Sequence, residues 1–456
     1  MNPYEYVEAH QHEFLEELKE WLRMPSISTL SQHKPDLLRA AEWARQQLES
    51  IGLTRVELFP TAGNPVVYGE WLEAGKNAPT VLIYGHYDVQ PADDPSKQWK
   101  SKPFEPEIRD GNLYARGATD DKGQTLTQIK AVQSLLAAGQ LPVNVKFVIE
   151  GEEESGSDHL YPFVEQHLDL LKADVLVVSD TGMMGLDRPS IVVSLRGIVS
   201  MEFEVRGPSH DLHSGLYGGM VHNPAQALVE IMAAMHRPDG KVAVPGFYDK
   251  VRELSGVERA EIAQNPITVE RFKEETGAPQ PWGEPNYSMQ ERAGTRPTFE
   301  INGIVGGWTG EGGKTVIPEK AVAKVSCRLV AEQDPVEIFE LIQRYLAEIT
   351  PSTVTSSVRL LHKGMWSLVD TQSLYMQAAV RAFEYGFGKR PIFMREGGSI
   401  PIMGFMQEKL NAPVVLMGFG LPDDNLHGPN EKYCLECFAR GMKTAIYFLH
   451  SLGTRG

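Results

Sequence analysis

The stretch TVLIYGHYDV (residues 80–89) combines the pattern of a buried strand with two titratable side chains. Its first half is an uninterrupted apolar run ending at Tyr84, which is typical of a strand covered on both faces. After Gly85, His86 and Asp88 are two residues apart, so an extended chain places them on the same side. The stretch therefore predicts a core strand that ends at a functional site.

Helical and strand-like segments alternate on both sides of this stretch. The predicted helices are DLLRAAEWARQQLESIG (36–52), KGQTLTQIKAVQSLLAAG (122–139) and EKYCLECFARGMKTAIYFLHSL (431–452). The predicted strands are NVKFVIEGEEE (144–154), ADVLVVSD (173–180) and APVVLMGFG (412–420). Because the strands are apolar without alternation, we expect an α/β domain with a mostly parallel sheet covered by helices.

The middle of the chain has a different pattern. GIVSMEFEVRG, NPAQALVEIMAAMH, PTFEINGIVGG, EKAVAKVSCRLV, PVEIFELIQRYLAEI and SSVRLLHKG read in order as β-α-β-β-α-β. That order is the split pattern of a ferredoxin-like α+β domain, interrupted here by a Pro-, Gly- and charge-rich segment at about 238–296. We therefore predict one α/β domain, residues 1–194 and 369–456, with a second domain inserted at 195–368.

Composition excludes several classes of protein. The 456 residues carry a formal net charge of −16 and no Lys/Arg run, which argues against a nucleic-acid partner. Three cysteines are too few for a disulfide framework. No window has the roughly 18 apolar residues of a membrane span, and the N-terminal segment lacks the basic start of a signal peptide. We expect a cytoplasmic protein with no membrane association.

Imidazole or carboxylate side chains follow at least four predicted strand ends. They are His86, Asp88, Asp120, Asp121, Glu150, Glu152, Glu153, Glu154, Asp180 and His427. Each has an ordinary explanation alone, such as a solvated turn or a helix cap. In open α/β sheets, however, the carboxyl ends of strands meet at one crevice. So many like charges there require protons or cations, and this mixture of ligands suits divalent metals such as zinc.

Five segments together resemble the signature motifs of the M20 metallopeptidases. They are GHYDV, ARGATDDKG, EGEEESGS, VVSD and NLHGPNE, in that order, and the resemblance covers nearly the whole chain. The family includes carnosinase-type and cysteinylglycine dipeptidases, glutamate carboxypeptidases, deacylases and a desuccinylase. The nucleotide-binding α/β proteins are excluded as a class, because no Gly-rich phosphate loop follows the strand at 80–89.

The resemblance implies a dinuclear metal site. His86 and Asp180 match the ligands of one ion, Glu154 and His427 match those of the other, and Asp120 matches the carboxylate that bridges them. Three protein ligands per ion leave room for a shared water, as a catalytic zinc site requires. The family also has a cis peptide at the position that matches Asp120–Asp121.

Two further residues near the ligands have implied roles. Glu153 matches the general base, which moves a proton from the metal-bridging water to the leaving amine. Asp88 lies two residues beyond His86 on the same strand face, so we expect it to accept a hydrogen bond from the second imidazole nitrogen. Because Glu153 and Glu154 are adjacent, the local backbone must turn both carboxylates inward.

The inserted domain resembles the family's lid and dimerisation domain. His213, in HDLHSGLYGG, matches a histidine that reaches into the partner's active site and stabilises the oxyanion. Arg328 matches the residue that holds a substrate carboxylate. Thr315, in KTVIPEKAVAKVSCRLV, and Ser399, in REGGSIP, match substrate contacts of carnosinase-type enzymes. The resemblance thus implies a homodimer that acts on small peptides.

The resemblance favours a dipeptidase over the other family activities. Within the family, Asp at position 180 goes with dipeptidases and aminopeptidase-like members, whereas Glu at that point goes with carboxypeptidases, the deacetylase and the desuccinylase. The loops around Glu154, His213 and Ser399 also resemble the carnosinase and cysteinylglycine branch. A deacylase of N-acyl amino acids is the alternative, and an inactive relative that serves as a binding protein is less favoured because no ligand is missing. We expect two zinc ions, with manganese or cobalt as alternatives.

Overall fold

The chain folds into two compact units. A computed structural model describes residues 1–92, 98–264, 266–398 and 400–453. One unit comprises Met1–Val193, Val369–Met394 and Phe405–Gly456, and the other comprises Ser194–Leu368 and Arg395–Gly404. We call them the α/β unit and the inserted unit. Within the described ranges, none of the helices is both long and apolar enough to cross a membrane.

A large mixed sheet forms the centre of the α/β unit. In spatial order its strands are Arg55–Phe59, Val66–Trp71, Asn144–Glu150, Thr80–His86, Val175–Val178, Val414–Leu416 and Ser190–Leu195. The four strands from Asn144–Glu150 to Val414–Leu416 pair in parallel, and the outer strands pair antiparallel. Ile392–Arg395 and Ser367–Leu368 each pair with Ser190–Leu195. The predicted mostly parallel α/β sheet is confirmed.

The strand predicted from residues 80–89 lies in the middle of the parallel region. Thr80–His86 pairs with Asn144–Glu150 on one side and with Val175–Val178 on the other. All its residues after Thr80 are buried. Because the neighbouring strands are parallel, their carboxyl ends meet at one edge of the sheet.

Helices cover this sheet. In the α/β unit they are Pro3–Leu22, Lys34–Ser50, Lys122–Ala137, Leu160–Gln166, Leu168–Leu171, Leu374–Phe387 and Leu435–Gly453, and Pro401–Leu410 spans the chain boundary between the units. Lys122–Ala137 is buried around almost its whole circumference, including the polar residues Lys122, Gln124 and Lys130. A separate three-stranded sheet is made of Glu107–Arg109, Asn112–Tyr114 and Lys432–Cys434.

The inserted unit is a ferredoxin-like sandwich, as predicted. Its antiparallel strands lie in the order Glu300–Gly306, Lys320–Leu329, Gly197–Arg206 and Thr355–Gly364. The helices Pro224–Ala234 and Pro335–Ile349 pack their apolar residues against one face of this sheet. Gly197–Arg206 alternates buried and partly buried residues because only that face is covered. A short ribbon pairs Leu212–His213 with Val316–Ile317, and the short helix Ser214–Tyr217 follows it.

The segment at 238–296 adds three short helices to the inserted unit. Gly256–Ile262 and Met289–Thr295 begin with capping boxes, and Val269–Thr276 begins at a threonine cap. Arg296 and Glu284 form a two-pronged ion pair with both distances at 2.9 Å. Because both side chains are almost fully buried, this pair fixes the end of the segment.

Two predicted elements are shorter in the structure than in the prediction. The strand predicted for 144–154 stops at Glu150, and a 3₁₀ turn, Glu153–Ser155, follows it. The helix predicted for 431–452 begins only at Leu435, because Lys432–Cys434 pairs as a strand with Asn112–Tyr114. Periodicity within one segment does not reveal a partner strand more than 300 residues away.

Candidate metal centre

The five predicted ligands converge at the carboxyl edge of the parallel strands. Among the described residues, two groups could hold a metal ion: His86 with Asp120 and Asp180, and Asp120 with Glu154 and His427. In each group one ligand atom per residue lies within 4.8 Å of the others. The groups share Asp120, so the predicted ligand set is brought together in one cluster.

Asp120 lies between the two imidazoles. Its Oδ1 is 3.1 Å from Nε2 of His86, and its Oδ2 is 3.0 Å from Nε2 of His427. Asp180 Oδ2 is 4.0 Å from the same nitrogen of His86, and Glu154 Oε2 is 3.3 Å from that of His427. Each oxygen of Asp120 therefore faces a different histidine, which is the arrangement a bridging carboxylate needs.

The chemistry of this donor set fits divalent cations. Nε2 of His86 is buried, and its 3.1 Å contact with Oδ1 of Asp120 does not have hydrogen-bond geometry, so this nitrogen has no hydrogen-bond partner among the described residues. Burial, followed by repulsion from Asp120, raises the pKa of Glu154 to about 8. Burial and the Asp120 and Asp121 carboxylates likewise raise the pKa of Asp180 well above its ordinary value. Positive charge between these groups would remove the repulsion and give the orphaned nitrogen a partner.

Asp88 connects the first strand end to the loop that carries Glu154. Nδ1 of His86 lies 3.1 Å from the Asp88 carbonyl oxygen and 3.4 Å from its Oδ1. The same carboxylate accepts hydrogen bonds from the backbone N–H groups of Glu153 (3.3 Å) and Glu154 (3.1 Å). Asp88 is fully buried, so its hydrogen bonds fix the orientation of the imidazole and the turn together.

Glu153 and Glu154 form the first turn after the strand Asn144–Glu150. The turn ends at Gly156, whose φ of 104° is in the left-handed region that favours glycine. The pKa of Glu153 lies well above its ordinary value, mainly because the carboxyl group is buried. His86 lowers this pKa, and repulsion from Glu154 raises it further. A carboxyl group with a raised pKa is suited to accept and return a proton near neutral pH.

Gly85 allows the helix Lys122–Ala137 to begin beside the first strand. A Cβ atom at Gly85 would lie 2.0 Å from Oγ1 of Thr125 and 3.1 Å from Oδ2 of Asp121. That Asp121 oxygen accepts hydrogen bonds from Thr125 Oγ1 (2.6 Å) and from the backbone N–H of His86 (3.2 Å). The peptide bond Asp120–Asp121 is cis, as the resemblance implied.

Two of the substrate-contact residues predicted in the inserted unit lie close together. His213 pairs with Val316 in the short ribbon, and the N–H of Ser214 donates to the carbonyl oxygen of Thr315 at 3.1 Å. His213 and Thr315 are both exposed. Nδ1 of His213 accepts a hydrogen bond from Gly215 N–H at 3.0 Å, which leaves Nε2 as the nitrogen able to reach a ligand.

Arg328 and Ser399 complete the predicted substrate contacts. Arg328 lies in the strand Lys320–Leu329, where its N–H and carbonyl both contact Thr298. Its side chain is partly buried, and burial lowers the pKa of its guanidinium. Ser399 lies outside the described residues.

Sequence reasoning missed three residues that contact the ligands or their loops. Gln90 donates through Nε2 to Oε2 of Glu154 at 2.7 Å. Arg116 and Glu431 form a buried ion pair with an N–O distance of 2.7 Å. Arg116 and Glu431 occur within ARGATDDKG and NLHGPNE, and a charged residue inside each motif was the available signal.

Known proteins resemble this chain over nearly its full length. Cys-Gly metallodipeptidase dug1 of Schizosaccharomyces pombe is 32% identical over 469 residues, covering 99% of this chain and 98% of that protein. Beta-Ala-His dipeptidase of Homo sapiens is 33% identical over 468 residues, covering 98% of this chain and 91% of that protein.

A solved structure and a family match extend the comparison. The M20 family metallo-carboxypeptidase Sso-CP2 of Sulfolobus solfataricus superimposes with a TM-score of 0.87 at 33% identity, covering 97% of this chain and 99% of that one. Residues 82–451 match Peptidase family M20/M25/M40, a range that contains all five candidate ligands. The chain therefore belongs to Peptidase family M20/M25/M40 and is a metallohydrolase.

Proposed function

We propose that this protein is a dipeptidase that uses two divalent cations. The observation that carries the proposal is the position of Asp120, whose two oxygens face His86 and His427 separately. Two relatives that match the full length of the chain have names that specify dipeptide hydrolysis. Shared ancestry over the whole chain and a complete ligand set support the same activity here.

Glu153 is the general base of the proposed reaction. Two divalent cations, when bound, would acidify a water molecule and polarise the scissile carbonyl. Glu153 is next to a ligand but belongs to neither metal group, so its carboxylate remains available for proton transfer. It takes a proton from the attacking water and returns it to the amine that leaves, a role that suits a buried carboxyl group next to the candidate ligands.

The donor set favours zinc as the working ion. Each group combines one imidazole with two carboxylates, and zinc binds both kinds of ligand in catalytic sites. Manganese and cobalt accept the same donors, so they are the alternatives to be compared with zinc. The cytoplasmic location inferred from the sequence stays a prediction.

We also propose that the inserted unit is the lid and dimerisation domain. Arg328 would hold the carboxylate of the dipeptide, with Thr315 and Ser399 as further substrate contacts. His213 of the partner subunit would stabilise the oxyanion. The exposed position of His213 and its available Nε2 support this role, because the side chain can reach a group outside its own unit.

The edge of the inserted sheet supports a homodimer. Glu300–Gly306 pairs with one strand in the four-stranded sheet and is exposed along nearly its whole length. Ile304 and Val305 expose 47% and 63% of their surface there, and Trp308, two residues beyond the strand, exposes 50%. An exposed apolar edge strand is a ready surface for pairing with another chain.

Substrate length and the substrate's N-terminus distinguish the competing activities. The similar Sulfolobus enzyme is described as a carboxypeptidase, and the alternative from the sequence is a deacylase of N-acyl amino acids. The test compares free dipeptides, tripeptides, N-acetyl amino acids and N-succinyl-diaminopimelate, using metal-free protein reloaded with zinc, manganese or cobalt. Preferential cleavage of free dipeptides supports the proposal. Preference for longer peptides indicates a carboxypeptidase, and preference for acylated substrates indicates a deacylase.

A further inference from the structure

A buried ion pair contacts the backbone of two candidate metal ligands, Asp120 and His427. Nη1 of Arg116 donates to Oε2 of Glu431 at 2.7 Å, and the two side chains are 3% and 0% exposed. Arg116 follows the strand Asn112–Tyr114, and Glu431 precedes Lys432–Cys434. These two strands pair with each other, which brings the two residues together although 315 positions separate them.

Glu431 binds the backbone of the loop that ends at Asp120. Its Oε2 also accepts the N–H of Gly117 at 2.9 Å, and its Oε1 accepts the N–H groups of Thr119 at 3.1 Å and Asp120 at 3.2 Å. With Arg116, four donors occupy the acceptor positions of one carboxylate. The backbone that carries the bridging residue is therefore fixed by a single side chain.

Arg116 binds the backbone of two other loops. Its Nη2 donates to the carbonyl oxygen of His427 at 3.0 Å and to that of Pro91 at 3.1 Å. His427 has a φ of 60°, so its backbone lies in the left-handed region, and the guanidinium holds its carbonyl there. Pro91 follows Gln90, the residue that donates to Glu154.

We propose that Arg116 and Glu431 are a positioning pair that sets the separation of Asp120 and His427 and thereby the affinity for the metal ions. The inference rests on the proposed two-metal function. A buried ion pair contributes little net stability, because desolvation offsets its attraction. Geometry accounts for its position instead, since Arg116 and Glu431 together contact the loops of two candidate ligands of one group, His427 and Asp120.

Glu431→Gln tests the carboxylate. The amide would present an N–H₂ group to two of the four donors whose hydrogen bonds Glu431 now accepts, so two of the four bonds are lost. Because Asp120 belongs to both metal groups, binding of both ions is expected to weaken by about 10–100-fold, the usual effect of removing a residue that orients a ligand. Calorimetric titration of the metal-free protein with zinc measures this directly.

Arg116→Lys tests the guanidinium while keeping the charge. Lysine has one donor group without the planar fork, so it cannot contact Glu431, His427 and Pro91 in the present geometry. The ion held by Glu154 and His427 is expected to bind more weakly, whereas the ion held by His86 and Asp180 keeps its affinity. At one fixed zinc concentration, the Arg116→Lys protein should have a lower kcat than the wild type and the same KM for the dipeptide.

Glu284→Gln is the matched control, because it breaks the similarly buried pair with Arg296 in the inserted unit. It should lower the melting temperature without changing zinc affinity. If Glu431→Gln binds zinc as the wild type does, or if Glu284→Gln weakens zinc equally, the inference is wrong. If Glu431→Gln does not fold, the Arg116→Lys titration decides. A wild-type protein that binds fewer than two ions refutes the proposed function instead.

Discussion

Asp88→Asn is the substitution that tests the geometry of the first strand end most sharply. Asparagine has nearly the same shape, so it fits the fully buried position of Asp88. It loses the charge and replaces one acceptor oxygen by an N–H₂ group. That group would face an N–H of the Glu153–Glu154 turn or the Nδ1 of His86, where an acceptor now lies.

The size of the effect follows from the hydrogen bonds that are lost. Hydrogen bonds to a charged group contribute about 1.5–3 kcal/mol each, and a buried donor left without a partner costs about 1–3 kcal/mol. Losing one bond to the turn and releasing the imidazole of His86 therefore lowers folding stability by about 3 kcal/mol. Zinc affinity and kcat/KM should each fall by about 10–100-fold.

The assay combines zinc calorimetry with dipeptide hydrolysis at saturating zinc. Asp174→Asn is the control, because Asp174 also accepts a backbone N–H, from Thr80 at the other end of the same strand. It is exposed, and we expect zinc affinity to stay at the wild-type value. Wild-type zinc affinity and turnover in the Asp88→Asn protein would refute the orienting role of Asp88.

Three further predictions test other parts of the account. Glu153→Gln should lower kcat by about 10²–10⁴-fold with unchanged zinc affinity by calorimetry; a large loss of zinc binding would make Glu153 a ligand instead. Burial raises the pKa of Glu150 from 4.5 to about 8. Between these pH values the folded protein keeps this proton and the unfolded chain loses it, so the free energy of unfolding falls as pH rises. Relative to Glu150→Gln, the metal-free wild type should lose up to about 1.4 kcal/mol of unfolding free energy per pH unit in that range, measured by urea denaturation; parallel pH profiles contradict this. Val305→Lys places a charge on the exposed edge strand and should give monomers by light scattering, with kcat reduced and zinc content unchanged; a dimer of wild-type size contradicts the edge-strand interface.

The strand ends that carry candidate ligands could be predicted from apolar patterns, whereas the choice of five ligands among ten imidazole and carboxylate side chains came from the family resemblance. His86 and Asp180 come after apolar runs of the parallel sheet, and parallel strands must bring such residues to one edge. Gly85 also has a local signal, since a glycine within a buried strand indicates close approach by another element.

The residues that hold the ligands in place could not be predicted in the same way. Glu431 and Arg116 contact each other through a pairing of two short strands far apart in sequence. Asp88 was expected to bind the imidazole of His86, but its hydrogen bonds to Glu153 and Glu154 depend on the turn after a different strand. Such contacts depend on tertiary packing, which residue periodicity does not encode.

We propose that a dinuclear site built around Asp120 hydrolyses dipeptides. The most direct test adds zinc stepwise to metal-free protein and follows both bound ions and cleavage of a dipeptide with a free N-terminus. We predict two zinc ions per subunit, full activity only when both are bound, and loss of both ions in Asp120→Asn, whose carboxylate belongs to each group. Activity that is complete with one ion, or that persists without metal, would contradict the account.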